Sequence, residues 1–163
     1  MKRILIDSRA AARAVVLGGL LLTAARPLGA QAPRPAPEYL VTVSSTLGFD
    51  ETVRALKQAI EGENLMVVHE INPQQMLRMV GVRTGGMRQI LFFHPRYMKR
   101  ILEANRNGGI EPPLKLLVME APNGSVMVRY HDPVHQLAAY EGLEDVATEL
   151  RAVIERIVSA VSR

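Results

Sequence analysis

Two of the chain's four histidines stand just ahead of prolines, in His94-Pro95 and His131-Asp132-Pro133. Imidazole is a ligand for haem iron and copper, and it titrates near neutral pH. The chain also holds eight methionines, whose thioethers are soft partners for the same metals, and no cysteine. Without cysteine, thiol catalysis and thiolate-bound zinc are excluded. Without a C-x-x-C-H motif, haem can be held only non-covalently. His94 and His131 are therefore the candidate metal ligands, with haem or copper as the expected cofactor. Met127, Arg129 and Glu120 join them as candidate ligand-binding residues.

Plainer roles compete with each of these. A histidine before proline at a helix start ordinarily serves as a cap or surface group. His69 reads as a strand-face residue and His135 as an exposed one. Met76-x-x-Met79 has copper-binding spacing, but on a short amphipathic helix such a pair is ordinarily core. Glu120 and Arg129 are most simply a cross-strand ion pair. The run Arg83-Thr84-Gly85-Gly86 could cradle an anion through backbone N–H groups, although a Gly-Gly loop alone is unspecific. The hydroxyls of Ser44, Ser45, Thr46 and Ser125 show no nucleophile elbow or triad spacing. An acid/base pair of Glu120 and His131 is the best enzymatic case, and a non-enzymatic binding role is preferred to it.

The amino terminus sets the compartment. Lys2, Arg3, Arg9 and Arg13 form a basic region, residues 14–25 an apolar run, and Ala30-Gln31-Ala32 a small-residue cleavage site. Residues 1–32 thus read as a Sec-type signal peptide, and 33–38 as a proline-rich linker. The apolar run of 12 residues falls short of the roughly 20 needed to span a bilayer. The expected location is periplasmic or secreted, with no stable membrane insertion after cleavage; a retained anchor is the alternative. Of 20 basic and 16 acidic residues, five and one lie in the first 32, leaving 15 of each. A neutral domain offers no electrostatic footprint for nucleic acid.

The elements that must position the candidate residues follow from periodicity. Strands are expected over 39–45, 65–71 and 87–93, with two more in a hairpin over 114–131. Helices are expected from Asp50 as cap to about Gly62, over 73–79, from 95 to about 105, from 133, and over 143–161. Both His94 and His131 end a strand and enter a helix. Taking Asn123-Gly124 as a two-residue turn pairs Ala121 with Val126, Glu120 with Met127, Val118 with Arg129 and Leu116 with His131. Leu117, Met119, Val128 and Tyr130 then face the core. Glu120, Met127, Val118, Arg129, Leu116 and His131 share a mixed outer face.

Several pieces together resemble the family known as domain of unknown function 302. They are residues 49–53 (FDETV), 92–95 (FFHP), 113–120 (PLKLLVME), 124–128 (GSVMV) and 130–133 (YHDP). The resemblance implies a TATA-binding-protein-like α+β fold and no established activity. Relatives usually carry asparagine where this chain has His94 and His131, so the resemblance gives no role for either imidazole.

The expected architecture of residues 39–163 is one α+β domain. It is a two-layer sandwich with a five-stranded, largely antiparallel sheet, covered on one face by an N-terminal helix and a long C-terminal helix. The expected function is an exported small-ligand-binding domain, most concretely for haem or copper. The alternative is a structural or interaction module that forms a homodimer through its open sheet face, around Leu116, Val118 and Met127.

Overall fold

A computed structural model describes residues 37–162, which belong to one compact unit. The expected signal peptide and most of the linker lie outside them. The elements run β1 (Leu40–Ser44), α1 (Phe49–Gly62), β2 (Met66–Ile71), α2 (Pro73–Met79), β3 (Met87–Phe93), α3 (Pro95–Ala104), a 3-10 turn (Arg106–Ile110), β4 (Leu114–Glu120), β5 (Val126–His131), α4 (Pro133–Leu137) and α5 (Glu144–Ser159). The strands form one sheet in the order β1-β5-β4-β3-β2, with every neighbouring pair antiparallel. This is the α+β sandwich that the periodicity predicts.

One face of the sheet makes the core. Ile90, Phe92, Leu114, Leu116, Val118, Val126, Val128 and Tyr130 are buried there against Leu56 and Ile60 of α1, Tyr97 and Ile101 of α3, and Leu150, Ile154 and Ile157 of α5. Each helix turns an apolar stripe inward at i, i+3, i+4 spacing, and burying those stripes is the main force holding the layers together. Thr52, fully buried on α1, is satisfied locally: its hydroxyl lies 2.7 Å from the Ser45 hydroxyl and 3.3 Å from the Leu47 carbonyl. Gly48, not Asp50, occupies the N-cap of α1, and Asp50 lies in the first turn, where its charge favours the helix dipole.

Two local features redirect side chains. A bulge between Val67 and His69 pairs Val67 with Phe92 but His69 with Leu91. His69 and Ile71 therefore face away from the helices while Val67 and Glu70 face them. The alternation of a regular strand is broken at Val68, which is pushed out and half exposed.

The second feature is the hairpin turn, where the structure corrects the sequence reading. Glu120 pairs with Val126, Met119 with Met127, Val118 with Val128, and Leu117 with Arg129. The loop is one residue longer than expected. Gly124 N–H donates to the Ala121 carbonyl and Ala121 N–H to the Ser125 carbonyl. Among the described residues of this loop only Gly124 has a positive φ, +80°. Pro122 is pre-set for the first central position of a type I turn, and Gly124 supplies the left-handed step after it. A one-residue slip flips every side chain of one strand. Leu116 and Val118 are thus fully buried, and Lys115, Leu117 and Met119 share the open face with Met127, Arg129 and His131. The interface expected around Leu116 and Val118 does not exist on that face.

Candidate functional site

The open face has a consistent character. Its strand positions are Leu40, Thr42 and Ser44 on β1; Met127, Arg129 and His131 on β5; Lys115, Leu117 and Met119 on β4; Met87, Gln89 and Leu91 on β3; and His69 and Ile71 on β2, as the strand registers require. No carboxylate is among them. All are at least partly exposed. It is an apolar surface carrying only cationic and neutral polar groups.

At the end of the sheet where β5 stops and β4 begins, this face deepens into a groove of about 340 Å³. Leu40, Gln89, Lys115, Leu117, Arg129 and His131 line it from the open face, the core residues Leu114, Tyr130 and Ile154 from the helix side, and Glu111, Pro113 and Gln136 complete it. Continuing the β4–β5 register by two residues sets Lys115 opposite His131. The His131 ring stands edge-on to Tyr39, with centroids 5.3 Å apart and planes at 81°. Arg129 is steadied by donating from Nε to the Thr42 hydroxyl, 3.2 Å. The carboxylate of Glu111 is engaged by Tyr140 (2.6 Å) and Gln136 (2.9 Å). Neither Lys115 nor Arg129 is in an ion pair among the described residues.

The five expected site residues separate. His131 and Arg129 line the groove. Met127 shares their strand and face, further from the groove. Glu120 lies on the other side of the sheet parity, and its Oε2 accepts the Gly86 N–H at 2.9 Å. The expected Glu120–Arg129 ion pair is absent and the Glu120–His131 acid/base pair is not formed, both because of the turn register. His94 follows β3 at the same end of the sheet as His131, but β4 lies between their strands. Strand spacing and rise put their Cα atoms roughly 14 Å apart. A metal ion shared by two imidazoles needs both nitrogens within about 2.1 Å of it. His94 is engaged elsewhere: its Nδ1 accepts the Arg96 N–H at 3.1 Å as the N-cap of α3.

Asp132, next to His131, ties the end of β5 to the helices. Its Oδ1 caps α4 by accepting the Val134 N–H at 3.0 Å, and both carboxylate oxygens take the Arg151 guanidinium of α5. His135 Nδ1 lies 3.1 Å from Oδ2. Burial pushes the Asp132 carboxyl up, but the Arg151, Val134 and His135 hydrogen bonds outweigh it and hold the group below its ordinary value.

A sequence model of the family described as "Domain of unknown function DUF302" matches residues 41–161. The chain belongs to the DUF302 family. No curated protein matches it. Among solved structures it is similar to an uncharacterized conserved DUF302 protein from Bacillus stearothermophilus, at TM-score 0.67 and 20% identity, over 77% of this chain and 97% of that one. That likeness is one of fold. The groove must therefore be read from this DUF302 domain's own residues. Lys115 and Gln89, which sequence reasoning passed over, belong to it, and so does Leu40.

Proposed function

We propose that this DUF302 domain is an exported binding protein for a small amphipathic anion, with non-covalently held haem as its most concrete ligand. The observation behind this is one imidazole, His131, sharing a groove with two cations, Lys115 and Arg129, and the apolar walls of Leu40 and Leu117. Haem presents matching chemistry: an apolar macrocycle, an iron that takes an axial imidazole, and two carboxylates. About 340 Å³ is near the lower end for small-ligand sites. His131 would hold the iron in this reading, and His94 is a helix cap.

Titrating hemin into the purified protein tests it. The wild type should give a shifted Soret band and saturable binding, His131→Ala should lose both, and His94→Ala should keep them. An unshifted Soret band in the wild type sinks the haem reading, and metal analysis after mild purification then tests copper at the same histidine.

A second reading rests on the partly exposed Leu117, Met119 and Met127 of the same face. Two copies could pair there and enclose the ligand between them. Light scattering decides this: a monodisperse monomer, with and without hemin, argues against it.

A further inference from the structure

The opposite end of the sheet carries an unrelated cluster. Between α2 and β3 the chain makes an open cleft of about 660 Å³, lined by Arg78, Gly81, Val82, Arg83 and Thr84. Neither arginine is in an ion pair among the described residues. Thr84 Oγ1 is buried without a hydrogen-bond partner, the only such side-chain atom among those residues. The Arg83 and Thr84 N–H groups have no backbone acceptor there either. Two guanidinia without ion-pair partners in one cleft, with the unpartnered Thr84 hydroxyl buried in its wall, suit an acceptor-rich anion. Glu120 closes the far end of this loop but is turned to the Gly86 N–H.

The chain around the cleft residues is apolar and exposed. Met76 is 61% exposed, Met79 82%, Val80 72% and Val82 44%. Contiguous exposed apolar side chains mark an interaction surface. Apolar tips around cationic groups match an anionic membrane surface: arginines meet lipid phosphates while the methionine and valine side chains enter the acyl boundary.

We propose that the α2–β3 loop is a peripheral membrane contact. Arg78 and Arg83 would take the phosphate of an anionic phospholipid, and Met79 and Val80 would insert beside it. The proposal is independent of the haem reading, since the two sites lie at opposite ends of the sheet.

The chain has no tryptophan, so single tryptophans report locally. In the full chain, Val80→Trp places one in the loop, and Ile110→Trp places one on the exposed 3-10 turn at the other end. With phosphatidylglycerol-containing vesicles, Val80→Trp fluorescence should shift to the blue and be quenched by brominated lipid. Ile110→Trp should respond to neither, which separates loop insertion from tethering by the amino-terminal apolar run. Adding Arg78→Gln and Arg83→Gln should weaken the Val80→Trp response roughly 25-fold, at about fivefold per cationic side chain. Equal quenching at both tryptophans, or indifference to the arginine changes, overturns the proposal. So does saturation by inorganic phosphate with no response to vesicles, which would make the cleft a free-anion site. Self-association that disappears in Met79→Ser/Val80→Ser, without vesicle binding, would make the patch a protein interface and also overturns it.

Discussion

His94 Nδ1 accepts the Arg96 N–H much as an asparagine carboxamide oxygen would. His94→Asn should therefore leave stability within about 0.5 kcal/mol, whereas His94→Ala should cost ~1 kcal/mol, the usual worth of a lost cap. Urea denaturation measures both, and equal losses would show that the cap contributes nothing. Asp132 behaves differently because its carboxylate joins three elements. Its ionised form is stabilised in the fold, so its pKa lies below the ordinary 3.8. That stabilisation is complete above the unfolded value and is lost as pH falls through the folded one. Asp132→Asn should cost about 1–3 kcal/mol at pH 7 and flatten the decline of stability below about pH 4. An acid limb unchanged from wild type would assign that decline to other carboxylates.

Gly124 is the residue on which the hairpin depends. A Cβ there meets nothing within 4 Å, so only its φ of +80° opposes substitution. Gly124→Ala should cost about 1 kcal/mol, read as a lower melting temperature with the fold unchanged; a neutral result would mean the turn relaxes to another type. The elements themselves were legible because their periodicities are strong, from the alternation in β5 to the apolar stripe of α5. The register of β4 was not, because Asn123-Gly124 reads as a two-residue turn and Pro122 moves the turn back by one. One residue did carry the answer. Lysine is almost never buried without a partner, so Lys115 had to face outward, and Leu114, Leu116 and Val118 inward. Weighting that burial rule over the dipeptide would have brought Lys115 beside His131 and removed Glu120 from the site. The bulge at Val68 and the Asp132–Arg151 link left no comparable mark, since both arise from contacts made only in the folded chain.

Over the whole molecule, the sheet separates a sealed face from an open one whose strand positions carry cations and no acids. The chain outside the expected signal peptide is neutral, so the absence of acids from this face is a matter of placement and not of composition. A ligand held there should depend on Lys115 and Arg129 in proportion to its own negative charge. Lys115→Gln/Arg129→Gln should weaken hemin binding about tenfold, taking roughly 0.7 kcal/mol for each partly solvated ion pair. Both side chains are at least partly exposed, so the melting temperature should stay within a degree or two. Esterifying both carboxylates of the porphyrin removes the charge but keeps the macrocycle and iron. The ester should therefore bind wild type and double variant alike, at the weaker level. His131→Ala should abolish the Soret shift for both ligands, because it removes the iron ligand. A double variant that weakens acid and ester equally would mean that Lys115 and Arg129 shape the groove without pairing to carboxylates. Loss of hemin binding with a collapsed melting temperature would mean they hold the sheet.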